Sequence, residues 1–318
     1  MLAAMLLGLA AMSGIGALFF GPASAVEAYF DALADRDPEA ALENVVAESV
    51  PTEYRELLQG SVLDGPDYTP PSDMEIVSTE KEGDKATVEV SYALAGKQYQ
   101  ITMKLVRSDE STLGMFRRWH ITNGLFSASV SAAAVKSFVL NGKEIVADED
   151  NDLGRPALIG AYKFGVGDNR FFEAEPGTLY VTGVSYEDMT RPGDTSEDVE
   201  PGHVRLTVRL KEATRQEIDQ QIDAYLNRCA ESADLDPDGC PFSTYIWGEA
   251  TEVSWKITRK PTIEIAFSGS GLVVDTETRG EAEVSYNSSG TARSETISFR
   301  VRGIVSLDGE KLVFNPQT

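Results

Sequence analysis

The chain has 318 residues, enough for two or three domains, with 28 Lys plus Arg against 51 Asp plus Glu and a net charge of −23. That charge argues against a nucleic-acid partner, whose phosphates repel it, and against lying flat on anionic lipid. Two His and two Cys are too few for a zinc or catalytic centre built on His/Cys clusters.

Residues 2–20, LAAMLLGLAAMSGIGALFF, are apolar or small and uncharged, and the first charge is Glu27. A spanning helix needs roughly 20 such residues. A secretory signal also fits in part, because Ala23-Ser24-Ala25 is an A-x-A site, but no Lys or Arg precedes the apolar core. A buried helix is the third reading. Ser24-x-x-Glu27 is a capping box that a cut after Ala25 would destroy, which favours an uncleaved anchor. The missing basic flank points to a start upstream of Met1. No Cys follows the run, so no lipid-acylation site is expected.

The helix from about 24 to 34 turns Val26, Tyr29, Phe30 and Leu33 to one side. Asp37-Pro38 restarts a second helix, with Asp37 as N-cap and Ala41, Leu42, Val45 and Val46 apolar. A short third helix fits residues 52–58, followed by a turn-rich bridge at Gly65-Pro66 and Pro70-Pro71. The period then changes to two. Val88, Val90, Tyr92 and Leu94 alternate up to Ala95-Gly96, and Tyr99, Ile101, Met103 and Leu105 alternate back, a hairpin. Phe116, Trp119 and Ile121 mark a last strand before Asn123-Gly124.

Helix, helix, short helix and then an antiparallel sheet ending in Trp-x-Ile resembles the nuclear-transport-factor-2-like fold, a cone-shaped α+β domain. The resemblance rests on AVEAYFDALA at 25–34, on Asp37-Pro38-Glu39-Ala40-Ala41-Leu42 and on Arg118-Trp119-His120-Ile121. It covers about 100 residues and implies an interior lined by Tyr29, Phe30, Leu33, Tyr92 and Trp119. That superfamily holds enzymes, ligand binders and structural modules, so the fold does not decide function.

Residues 126–211 read as strands throughout, a small β-sandwich or barrel-like domain. Phe138-Val139-Leu140, Asn141-Gly142 and Ile145-Val146 form a hairpin with a type I′ signal. Further strands fit 161–164, 179–184 and 204–210, and residues 190–200 form an acidic loop. Thr214-x-x-Glu217 is a second capping box, opening a helix with Ile218, Ile222, Leu226 and Cys229 on one face. A meander follows, with strands near 253–258, 262–267, 272–274, 282–286, 296–305 and 311–314. The whole layout, with Arg228-Cys229-Ala230 and Gly239-Cys240-Pro241-Phe242, resembles uncharacterised actinobacterial membrane-anchored proteins, and it brings no activity with it.

The expected organisation is therefore α+β. It comprises an anchor or signal segment at 1–21, a nuclear-transport-factor-2-like domain at 22–125, an all-β domain at 126–211, and a helix plus antiparallel sheet at 212–318. Cys229 and Cys240 flank an Asp-Pro-Asp-Gly turn and should pair outside the cytoplasm. Asp234-x-Asp236-x-Asp238-Gly239 matches half of a calcium loop. Its seventh position is Cys240 and its twelfth is Tyr245 where Glu belongs, so an acidic turn is the preferred reading. Asp148-x-Asp150-x-Asp152 is weaker still. His120, next to Trp119 on a strand, must face away if Trp119 faces in. His203 reads as loop, and Arg205 and Arg209 as neighbours on one strand face.

No catalytic residue, cofactor or metal site is expected. The leading expectation is a non-enzymatic cell-envelope protein. It would be held in the cytoplasmic membrane by residues 2–20, with its bulk extracytoplasmic and an envelope protein as partner. The alternative is a small-molecule binder or enzyme using the cone cavity.

Overall fold

The computed structural model describes residues 21–47, 50–112, 116–133, 135–148, 152–184, 202–268, 271–308 and 311–317. The expected anchor at 2–20 and the acidic loop at 190–200 lie outside these residues. Among the described residues no helix is long and apolar enough to cross a membrane. The chain is α+β, with many strands and few helices. It forms two compact units. One takes in the described residues up to Gly167 together with Ala174–Thr207, and the other Asp168–Glu173 with Val208–Thr318.

The first unit opens with α1 (Pro22–Ala34). Its N-cap is Gly21, with no side-chain cap, and Pro22 occupies the first helical turn. The expected cap at Ser24 is therefore corrected: proline's fixed φ starts the helix two residues earlier, and Ser24 sits inside the first turn. Val26, Tyr29, Phe30 and Leu33 are buried, as the 3.6-residue period requires. The helix ends in a Schellman arrangement. Arg36 N–H donates to Leu33 O (3.1 Å) and Asp37 N–H to Ala32 O (2.8 Å). Arg36 holds the left-handed position usually given to glycine (φ 60°), tied by Nη1 hydrogen bonds to Leu63 O (3.2 Å) and Gly65 O (2.6 Å).

Asp37 caps α2 (Pro38–Leu42), its carboxylate accepting from Ala40 N–H at 3.0 Å. The expected third helix is two 3-10 turns, Thr52–Tyr54 and Glu56–Leu58, followed by α3 (Gly60–Leu63). The bridge is not only turns, since it contains β1 (Tyr68–Thr69).

An antiparallel sheet runs in chain order through β2 (Ser72–Glu82), β3 (Lys85–Leu94), β4 (Lys97–Thr112) and β5 (Phe116–Ile121). Ala95 and Gly96 both take positive φ (48° and 81°), so the tight turn pairs Leu94 with Lys97 and Tyr92 with Tyr99. α1 packs on β2, β3 and β5. Val88, Val90, Tyr92, Met103, Trp119 and Ile121 are buried on this sheet. The segment after α2 bonds to β5: Val46 N–H donates to Ile121 O and Ile121 N–H to Asn44 O.

The same unit continues with β6 (Phe126–Ala132), β7 (Ser137–Leu140), β8 (Lys143–Val146), β9 (Asp152–Ala157) and β10 (Gly160–Val166). After β11 (Phe172–Ala174), most of which belongs to the second unit, come β12 (Gly177–Val181) and β13 (His203–Leu206). β10 is the hub of one sheet, pairing β1, β12 and β7, with β8 beyond β7. The β7–β8 hairpin turns at Asn141-Gly142, both at positive φ. β6 pairs β9 antiparallel and β13 in parallel. His203 thus starts a strand, contrary to the loop expectation, and its ring Nε2 lies 3.3 Å from Ser131 Oγ. The strand expected over 204–210 splits at Thr207 into β13 and β14 (Val208–Leu210), which belong to different units. Arg205 and Arg209 therefore do not share one strand face.

In the second unit, β11 pairs β14. The helix α4 (Glu212–Ala230) has Lys211 at its N-cap without a side-chain cap, so the second expected capping box is also corrected. Thr214 lies in the first turn and is buried. Ile218, Ile222, Leu226 and Cys229 are buried along one face. α4 packs on β15 (Ala250–Arg259) and on β21 (Lys311–Pro316). Gln221 completes the second contact: its amide donates to Leu312 O and accepts from Phe314 N–H, both at 2.8 Å. Between β15 and β21 come β16 (Thr262–Ser268), β17 (Gly271–Thr278), β18 (Gly280–Ser288), β19 (Thr291–Phe299) and β20 (Gly303–Asp308). They form one sheet in the order β15-β18-β19 and another in the order β16-β17-β20-β21. Cys229 and Cys240 are bonded, with sulfurs 2.02 Å apart.

Candidate functional site

The expected interior of the first domain is occupied by packed rings. Tyr29, Phe30, Leu33, Tyr92 and Trp119 are at most 3 % exposed. Phe30 touches Tyr29 (ring centroids 5.5 Å apart) and Tyr92 (5.2 Å), and Tyr92 stacks on half-buried Tyr99 (5.8 Å). Trp119 lies under the cations of Lys81 (5.5 Å) and Arg107 (5.4 Å).

The hydroxyls are all used on backbone. Tyr29 donates to Gly124 O (2.9 Å), Tyr68 to Ile159 O (2.9 Å), Tyr162 to Leu158 O (2.8 Å) and Tyr92 to Thr182 O. Tyr68 and Tyr162 are also in ring contact, at 5.1 Å. Burial raises the pKa of all four well above the usual tyrosine value, because an anion there would lose its hydration. These groups stay neutral and act as clamps on the backbone at 124, 158, 159 and 182.

His120 pairs with Val106 between buried Trp119 and Ile121, so alternation turns it to the opposite face. The irregularity in this pairing lies at Arg107/Ser111 and does not re-aim it. Asp31 and Asp35, its conceivable carboxylate partners, are exposed on α1.

The acidic runs are also placed. Asp148 accepts from Arg155 Nη1 (2.9 Å), whereas Asp152 accepts from Ser129 Oγ (2.9 Å) and Leu153 N–H (2.8 Å). Asp150 lies outside the described residues. In the other run, Trp255 Nε1 donates to Asp234 O (2.8 Å) and Tyr225 OH to Gly239 O (2.9 Å), so the turn is held by its backbone. Among the described residues, no group of three or more His, Cys, Asp or Glu side chains could hold a metal ion.

Sequence reasoning missed an open recess of about 570 Å³ elsewhere in the first unit. Its walls are Val50, Pro51, Tyr54, Leu125, Phe126, Ser127, Gly154, Arg155 and Pro156. Arg155 is only 7 % exposed. Its Nε donates to Glu56 (3.0 Å), its Nη1 to Asp148, and its guanidinium lies 5.0 Å over the Tyr54 ring. Desolvation works against the charge on Arg155, and the hydrogen bonds to Asp148 and Glu56 outweigh it. Those bonds hold Asp148 below the usual carboxylate range. The recess offers an apolar floor, an aromatic edge and a fixed, neutralised cation. That chemistry suits contact with an apolar or aromatic group. Tyr54 and Arg155 are about a hundred positions apart, and no spacing motif links them.

No family model and no curated protein matches the chain. Among solved structures it is similar to an "Ntf2 like protein involved in plasmid conjugation", at 12 % identity over 94 % of this chain and 95 % of that one. The TM-score is 0.17, so the likeness carries no argument about function.

Proposed function

We propose that the protein is a non-enzymatic, extracytoplasmic module of the cell envelope, anchored by residues 2–20. Its first unit opens with a nuclear-transport-factor-2-like cone used as a scaffold. The observation that carries this reading is the way the cone interior is spent. Phe30, Tyr29 and Tyr92 pack ring on ring, and each buried tyrosine hydroxyl is committed to a backbone carbonyl. An interior built that way holds strands together, with its buried tyrosine hydroxyls neutral and engaged on backbone. Binding then falls to outer surfaces, which suits a protein partner.

Native mass spectrometry of the purified full chain tests the scaffold reading. The expected mass is that of the polypeptide alone. A stoichiometric small molecule lost on denaturation, with ordered density between Phe30 and Tyr92, would overturn it. Membrane fractionation with N-terminal sequencing tests the anchor, and a soluble mature chain starting at Val26 would refute it.

A further inference from the structure

The loop between α4 and β15 has two properties that the scaffold does not explain. Trp247 is 91 % exposed and Tyr245 is 75 % exposed, while the rings touch edge to face at 5.7 Å. Tyr and Trp supply much of the binding energy where proteins meet, because they bury large area at low conformational cost. The loop is also strongly one-signed. From Cys229 to Trp255 the sequence holds Glu231, Asp234, Asp236, Asp238, Glu249 and Glu252, and no Lys or Arg. All six carboxylates are exposed, and none is ion-paired among the described residues. Glu295 adds a further one, accepting from Thr244 Oγ1 at 3.0 Å.

The aromatic pair is presented on a fixed frame. The Cys229–Cys240 bond closes one end. Thr244 N–H donates to Leu235 O at 2.9 Å, and Trp255 Nε1 to Asp234 O. Phe242 is buried against Trp255 (4.8 Å) and Phe299 (5.2 Å). Buried Phe242 and half-buried Ile246 face inward, leaving Tyr245 and Trp247 outward. A surface that is ordered before binding loses less entropy when it docks.

We infer that Tyr245 and Trp247, with the surrounding carboxylates, form a docking surface for an arginine- or lysine-bearing segment of a partner protein. Charge complementarity selects the occupant. A guanidinium over an indole face gains from the ring quadrupole, and the carboxylates supply the counter-charge and the steering. A second copy of this chain would bring like charge to the surface, as would an anionic membrane. The inference rests on the reading of the protein as an interaction module, and the two fail separately. A small molecule in the cone would remove that reading without altering what Trp247 binds.

The test uses the full chain in neutral detergent and a dye-labelled decapeptide of alternating arginine and glycine, read by fluorescence anisotropy. Its citrulline counterpart is the control. Trp247→Ala leaves the net charge unchanged, and at so exposed a site it leaves the fold intact, as checked by circular dichroism. The expected result is at least tenfold weaker binding for Trp247→Ala, with partial retention by Trp247→Phe. Asp236→Asn with Asp238→Asn should weaken binding several-fold and flatten its salt dependence, whereas Glu264→Gln on β16 should not. Equal binding by Trp247→Ala or by the citrulline peptide would overturn the inference. So would Trp247-dependent dimerisation, or Trp247-dependent binding to phosphatidylcholine vesicles, without the peptide.

Discussion

Raising the pH should unfold the first unit far more steeply than its surface tyrosines would. Tyr29, Tyr68, Tyr92 and Tyr162 are at most 1 % exposed, and burial raises the pKa of each in the fold. In the unfolded chain they ionise near the ordinary value of about 10. Their contribution is therefore complete below pH 10 and is lost as the pH climbs above it, because only the unfolded chain then releases the protons. Each group removes up to about 1.4 kcal/mol per pH unit. Four together remove about 5–6 kcal/mol by pH 11, which is comparable with the whole stability of an ordinary domain. The result does not depend on how far each pKa is raised, only on its lying above the working pH. Tyrosinate absorbance at 295 nm and far-ultraviolet circular dichroism, followed together, are the assay. Of the 11 tyrosines, these four should ionise only in step with loss of structure, and Tyr162→Phe should make stability fall less steeply with pH. Ionisation of all the tyrosines near pH 10 with the dichroism intact would refute the reasoning.

Cys229→Ser opens a loop of sequence separation 11, which the chain-entropy model values at about 3 kcal/mol. Its denaturation midpoint should match that of the reduced wild type, and an unchanged midpoint would contradict the expectation. Arg155→Met strips Glu56 and Asp148 of their cation, and an effect of about 2 kcal/mol is expected, discounted because Asp148 is half exposed. Asp148 has a depressed pKa in the fold, so the difference from wild type should be present above pH 4 and shrink as the pH falls through its folded value. Gly124→Ala would set its Cβ 2.6 Å from Val45 Cγ2 and 3.2 Å from Ile121 Cγ2. About 1–3 kcal/mol should be lost, whereas Gly154→Ala, with nothing within 4 Å, should melt within a degree or two of wild type.

Signals confined to a few neighbouring residues were legible in the sequence. The Ala95-Gly96 and Asn141-Gly142 turns, the Asp37-Pro38 restart and the buried stripe of α4 all follow from local rules. β2 was missed because it is mostly exposed and shows no apolar alternation. β6 and β9 fall within the stretch read as strands throughout, but their bounds were not legible because Ser, Ala, Gly and Pro dilute the apolar alternation. Both capping boxes matched a pattern whose Ser or Thr falls inside the first turn, where the preceding Pro22 or Lys211 had already set the start. The burial of Tyr29, Phe30, Leu33 and Tyr92 was readable because one helix and one hairpin supply them. The Arg155 recess was not, because it joins three segments that only the folded chain brings together.

The interleaving of the two units has a consequence for biogenesis. The chain leaves the first unit at Gly167, lends Asp168–Glu173 to the second, and returns for Ala174–Thr207 before leaving again. β13, which completes the β6 sheet by a parallel pairing, is therefore the last strand of the first unit to emerge during synthesis. Until it arrives, one edge of β6 has no neighbour, and β11 waits for β14. Synthesis from the N-terminus would thus deliver a long stretch of chain that cannot close. Unpaired strand edges are the surfaces on which chains misassociate. A holding chaperone would meet its client in this interval, which closes only once Val208–Leu210 has also emerged to pair β11.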